Sequence, residues 1–214
     1  MYSLDAIYAG LEDLVCSDLP VADSRAIDSS GGHTAYGELT IRGGQAVIKM
    51  FGLTAADVLY DLGSGASKFI VQACLAIPGC RGVGVELAPS RHAVAAAAAA
   101  RPAWPPLASV RLDDMMTTPM DDCTHAYLAT LTFDDDFMEK LGARLAALPR
   151  LQTIATLKRF PAHEMHTADR EDAPRFTDVF CEDEEARRTV EVTWGVAVVH
   201  VYRRRRSNGG ATAY

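Results

Sequence analysis

Between residues 58 and 67 the chain reads V-L-Y-D-L-G-S-G-A-S. A short apolar run closes on Asp61, and Gly63 and Gly65 follow with one residue between them. Glycines at that spacing let backbone approach a ligand where a side chain would collide. Two further acids stand at matching places. Glu86 ends the run G-V-G-V-E, and Asp114 follows the run V-R-L. An acid in the position of Glu86 can accept from both hydroxyls of a ribose. Asp114 can accept from an adenine amino group. Asp61 repels a pyrophosphate but attracts an ammonium group. A dinucleotide turn needs G-x-G-x-x-G, and Lys68 occupies the place of the third glycine. The ligand that satisfies all three acids is S-adenosylmethionine, which joins adenine, ribose and an amino acid without phosphate.

These residues need a scaffold that brings strand ends together. Apolar spacing predicts a helix over 3–19, a loop over 20–36 and a helix over 43–52. Strands follow at 58–60, 83–85, 110–112, 126–130 and 152–157, with helices at 68–77, 89–100 and 137–148 between them. Residues 189–192 and 196–202, around Trp194-Gly195, read as a terminal antiparallel pair. Alternation of strand and helix predicts an α/β fold with a mostly parallel sheet, an antiparallel C-terminal strand pair and an N-terminal helical and loop segment. In such a sheet ligands bind at the carboxyl ends of the strands. Residues 1–35 form the lead-in, 36–203 the functional domain and 204–214 a basic tail.

Composition narrows the function classes. The 214 residues are 49% hydrophobic and carry a net charge of −7. That balance disfavours a broad electrostatic grip on nucleic acid. Arg203 to Arg206 are the local exception and read as a solvated tail, with a nuclear address or an acidic partner as the alternative. Five cysteines without a C-x-x-C pair suit a reducing compartment. The N-terminus lacks the pattern of a secretory signal, and no apolar run reaches the length of a membrane span. The expectation is an intracellular protein, in cytoplasm or nucleus, without membrane partners. The His163–His166 pair has no third ligand in pattern, so no metal is expected. Asp134 to Asp136 read as a helix N-cap, and Glu182 to Glu185 as a solvated turn.

The series Y-G-E-L-T at 36–40, V-L-Y-D-L-G-S-G, G-V-G-V-E, A-Y-L-A-T-L-T-F, T-L-K-R-F and V-T-W-G resembles the catalytic domain of the DOT1-like histone lysine methyltransferases. The resemblance runs over about residues 28–203. It implies a class I, Rossmann-like fold with S-adenosylmethionine as cofactor. It implies that Tyr36, Gly37 and Glu38 close over the methionine end, and that Asp61, Gly63, Gly65, Glu86, Asp114 and Met115 bind the cofactor. Where the family carries V-N-N-F-A-F, this chain reads Leu128 to Phe133, so Thr130 or Thr132 is left to offer a hydroxyl near the reacting sulfonium. Trp194 matches a tryptophan near the family's lysine channel. Tyr36, Thr130 and Trp194 are therefore the expected catalytic residues, with Tyr127 and Phe133 as further channel walls. The expected activity is methylation of a protein lysine or another protein side chain, a histone being among the candidate substrates. The alternatives are a cofactor-binding module without catalysis and a nicotinamide-dependent oxidoreductase.

Overall fold

A computed structural model describes residues 4–11, 19–161 and 175–206. Helices α1 (Leu4–Tyr8), α2 (Val21–Ser29) and α3 (Ile41–Phe51) lead into strand β1 (Val58–Leu62). Then come α4 (Lys68–Ala76), β2 (Arg81–Glu86), α5 (Pro89–Ala99), β3 (Ala108–Leu112), β4 (His125–Leu128), α6 (Asp135–Ala146) and β5 (Thr153–Thr156). The chain closes with α7 (Phe176–Val179), β6 (Phe180–Glu182), β7 (Arg188–Val192) and β8 (Gly195–Arg204). The strand order is β3-β2-β1-β4-β5-β8-β6, with β7 also paired to β8. Strands β1 to β5 are parallel, whereas β8 runs antiparallel to β5, β6 and β7. The order reverses direction at β1, so the crevice forms beside its carboxyl end.

Why these segments form is legible locally. Every residue of β1 and β4 is buried, as a central strand covered on both faces requires. One face carries Val58, Tyr60 and Leu62 against Met138, Leu141 and Leu145 of α6. The other carries Leu59 against Val47, Phe51 and Phe69 of α3 and α4. Thr40 caps α3 by accepting from Gly43 N at 3.1 Å, and Gly52 ends it at φ 66°. Asp134 caps α6 by accepting from Phe137 N at 2.7 Å, and Asp135 and Asp136 fill its first turn, where carboxylates face the positive helix end.

Four expectations need correction. Residues 21–29 form a helix where the sequence reads as loop: Ile27 is buried, and Ser29 and Ser30 turn their hydroxyls back onto the backbone of that helix, at Arg25 O and Ile27 O. Helix α1 ends at Tyr8 and residues 9–11 form a turn, while residues 12–18 of the expected helix lie outside the described residues. Glu182 lies in β6 and pairs with His200 at 2.8 Å, so only the residues after it form the turn. Arg203 and Arg204 belong to β8 rather than to a solvated tail. The Arg203 guanidinium donates to Met50 O at 2.8 Å and to Thr153 Oγ1 at 3.1 Å. Arg204 donates to Leu151 O at 2.6 Å and covers the Phe180 ring. The His163–His166 pair lies outside the described residues. Among the described residues no helix is long and apolar enough to cross a membrane.

Candidate active site

The carboxyl ends of β1 to β4 converge on a cavity of about 310 Å³. Its floor is the turn after β1. Gly63 N and Ser64 N both donate to Val85 O, at 2.8 and 2.9 Å, which ties the turn to β2. Gly63 and Gly65 hold φ of 84° and 53°, a region that side-chain-bearing residues avoid. Ser67 is the one non-glycine with positive φ among the described residues, and its buried hydroxyl pairs with Ser64 Oγ at 2.9 Å. Glu86 is pinned by two amides: Gly65 N donates to Oε2 and Ala88 N to Oε1, each at 2.8 Å. The carboxylate is thereby aimed between the turn and the start of α5, on the cavity wall.

The segment over residues 34–40 closes this floor from above. The Tyr36 ring lies on Gly65, where an added Cβ would come within 2.6 Å of the ring. Tyr36 donates its hydroxyl proton to Glu38 Oε1, and Glu38 Oε2 meets Lys68 Nζ at 2.7 Å. The Arg91 guanidinium sits 4.7 Å from the Tyr36 ring centre and donates to Thr34 O at 2.6 Å. Gly37 is pressed under Trp194, whose ring would be 1.7 Å from a Cβ there. Glu38 N donates to Thr193 Oγ1 and Thr193 N returns a bond to Glu38 O. Cation, carboxylate and hairpin tip thus hold Tyr36 over the glycine turn.

Charge is concentrated behind the turn. Asp61 is buried, and its carboxyl is pushed up to about 8 by burial first, then by the neighbouring carboxylates Glu86 and Glu38. Burial and Glu38 also push the Tyr36 hydroxyl well above the usual tyrosine range, so it stays a donor. A cationic group placed among these carboxylates would relieve their mutual repulsion.

Of the expected residues, Tyr36, Gly63, Glu86, Asp114, Met115 and Trp194 line the cavity. Glu38, Asp61 and Gly65 stand behind that lining and position it. Thr130 does not reach it. Its hydroxyl is buried in the sheet, 2.6 Å from Thr156 Oγ1, and accepts from Lys158 N at 3.0 Å. It is a strand-end brace, and Thr132 is the threonine that faces the cavity. Tyr127 is likewise packed on Phe69 in the core, with ring centres 4.9 Å apart, whereas Phe133 does line the wall. Sequence reasoning missed Arg91, Asp113 and the contribution of α2 through Ile27 and Ser30. Arg91 had a signal: it follows Pro89 at the start of the helix after Glu86, one turn from the strand end. Ala129 occupies the wall where the resemblance places an asparagine. Among the described residues no three metal-ligating side chains cluster.

Residues 22–101 match the family described as histone methylation protein DOT1. No functionally curated protein matches the chain in sequence. Among solved structures, an RNA methyltransferase from Salinibacter ruber, in complex with S-adenosyl-L-homocysteine, is 21% identical. The match covers 79% of this chain and 95% of that one, with a TM-score of 0.53. TrmN from Thermus thermophilus is 17% identical over 76% of this chain and 48% of its own length, with a TM-score of 0.56. Human N-acetylserotonin methyltransferase, in complex with the methyl donor, is 15% identical over 77% and 52%, with a TM-score of 0.51. Over residues 22–101 the chain resembles the DOT1 histone-methylation family, and its fold is that of the class I S-adenosylmethionine-dependent methyltransferases.

Proposed function

We propose that this protein transfers a methyl group from S-adenosylmethionine to a protein side chain, with lysine the first candidate. The observation that carries the reading is the row of acids at consecutive strand ends. Asp61 and Glu86 flank the glycine turn, and Asp114 lies across the cavity beside Met115. That set suits an ammonium, a ribose and an adenine in sequence, and it opposes a phosphate. Gly65 lets the Tyr36 ring close directly onto the turn, where an added Cβ would come within 2.6 Å of it, and a Cβ at Gly63 would stand 3.5 Å from Met115. The class I fold and the family match support the same donor.

The bound cofactor would supply a methyl group already activated as a sulfonium. The chain's own residues then have three tasks. Glu86, on the cavity wall, would hold the ribose, and Asp61, buried behind that wall, would supply negative charge for the amino group. The segment around Tyr36, held by Lys68, Arg91 and Trp194, excludes water from the turn. On the acceptor side Ala129, Leu131, Phe133 and Trp194 form an apolar wall. Desolvation there disfavours an ammonium and lowers the pKa of an entering amine, which leaves its lone pair free to attack. Alignment of the two reactants is the main catalytic contribution.

A second reading, a cofactor-binding module without transfer, is favoured by one observation. Ala129 offers no polar group at the wall where the related family places an asparagine. Transfer of labelled methyl groups to protein separates the two. The methyltransferase reading expects transfer by the intact protein and its loss in Asp61→Ala and Glu86→Ala. Tight cofactor binding with no transfer to any acceptor supports the module.

A further inference from the structure

Strand β8 extends past the end of its neighbour. Its pairing with β5 stops at Thr156↔His200, yet β8 continues back to Gly195. Among the described residues, Gly195–Val199 pair only with β7. Which backbone groups face the open side follows from the bonds around them. Arg204 N donates to Gln152 O on the β5 side, whereas Val201 O accepts from Asp183 N on the opposite side. Orientation alternates along a strand. The N–H and C=O groups of Val196 and Val198 therefore face the open side, in line with those of His200, Tyr202 and Arg204. The described residues just after β5, 157–161, make no backbone bond to them. Lys158 N donates to Thr130 Oγ1 and Phe160 N to the Tyr202 hydroxyl, so both amides are turned elsewhere. Among the described residues no backbone group bonds to Val196 or Val198 on that open side.

The side chains of the same two residues stand on an exposed face of the sheet. Val196 is 68% and Val198 43% exposed, against 8% and 0% for Ala197 and Val199. The segment G-V-A-V-V carries no lysine, proline or bulge, the usual protections of an open edge. It runs directly into Trp194, on the cavity wall, and starts beside Leu157, on the same wall.

Resting on the methyltransferase reading above, we propose that this edge is the docking strand for the substrate: an extended polypeptide segment adds to β8 along Val196 and Val198 and delivers its side chain past Trp194 into the cavity. A polypeptide backbone matches donors and acceptors repeating every second residue, and such strand addition is an established mode of peptide recognition. The edge is short. Five residues span about 17 Å, and a contact confined to them falls well short of the roughly 20–30 residues a side of a stable association. That size suits a transient substrate rather than a permanent second copy.

The test compares the intact protein with Val198→Pro, which removes one outward N–H and leaves the β7 ladder intact. Each is titrated with S-adenosylhomocysteine, then given labelled S-adenosylmethionine with an array of lysine-centred peptides of about twelve residues. Bulk tRNA serves as the competing acceptor. The expected result is unchanged cofactor affinity in Val198→Pro with roughly tenfold loss of peptide labelling, the effect of about one backbone hydrogen bond. Val198→Thr, which keeps the N–H, retains labelling. Val196→Pro serves as the second variant if Val198→Pro fails to bind cofactor. Labelling unaffected by either proline, labelling of tRNA alone, no labelled peptide, or a dimer that either proline dissociates would each overturn the proposal. Failure of the intact protein to bind S-adenosylhomocysteine would instead remove the methyltransferase reading on which it rests.

Discussion

Asp61 is a carboxylic acid in the company of two carboxylates, and the consequence is a pH dependence with a definite sign. Its folded pKa, near 8, lies above the 3.8 of the free side chain. The folded protein therefore binds more protons than the unfolded chain between those values, and this group's contribution to stability falls as pH rises through that window. Asp61→Asn should raise the melting temperature of the ligand-free protein at pH 8 and change it little at pH 4. A ligand ammonium favours the carboxylate form, so affinity for S-adenosylhomocysteine should rise between pH 6 and 8. The slope can approach tenfold per unit. Calorimetry across that range checks it, and a flat profile would show that Asp61 does not meet the ligand's cation. Thr130 makes the contrasting case. Thr130→Val should cost roughly 1–3 kcal/mol by stranding Lys158 N and the Thr156 hydroxyl, with cofactor affinity unchanged. The acids and glycines were legible in the sequence because each lies at or just beside a strand's carboxyl end, and those ends share one location in this fold. Thr130 was misread because which way a side chain turns at a strand end depends on its partner, here Thr156, which is distant in sequence.

At the scale of elements, the segment carrying Tyr36 is held by parts that lie far apart in the chain. Lys68 comes from α4, Arg91 from α5 and Trp194 from the β7–β8 turn. Gly37→Ala should force the indole away and open the segment, because a Cβ cannot share the space of the Trp194 ring. Affinity for S-adenosylhomocysteine should fall at an almost unchanged melting temperature. Lys68→Met removes a half-buried ion pair to Glu38 and should weaken the same affinity by about threefold to tenfold, with Lys68→Arg restoring part of it. The sequence shows Lys68 only as a missing glycine. Its role depends on Glu38, thirty residues earlier, and periodicity carries no information about that pairing. The helix at Val21–Ser29 was hidden for a related reason: its polar composition reads as loop, and burial of Ile27 at the cavity wall decides otherwise.

For the whole molecule, the order of strands makes the site, and the C-terminal strand β8 extends the sheet antiparallel beyond β5. The alternation of strand and helix made the parallel sheet legible. The antiparallel end was visible in the two runs around Trp194-Gly195. The arginine run was not, because four adjacent charges look the same in a tail and in a strand whose cations satisfy carbonyls. Arg203 and Arg204 bind the last carbonyls of α3 and those around Leu148 and Leu151. Replacing either with Met should cost roughly 1–3 kcal/mol, or about 2–4 °C of melting temperature per kcal/mol in a domain of this size. Thermal unfolding measures this directly, and an unchanged midpoint would return the run to solvent.

The most direct test of the central claim is a calorimetric titration of the purified protein with S-adenosylhomocysteine and, separately, with NADH. The account predicts micromolar binding of the first and none of the second, with the first lost in Asp61→Ala and Glu86→Ala. Binding of NADH, or binding of S-adenosylhomocysteine that ignores both substitutions, would contradict it.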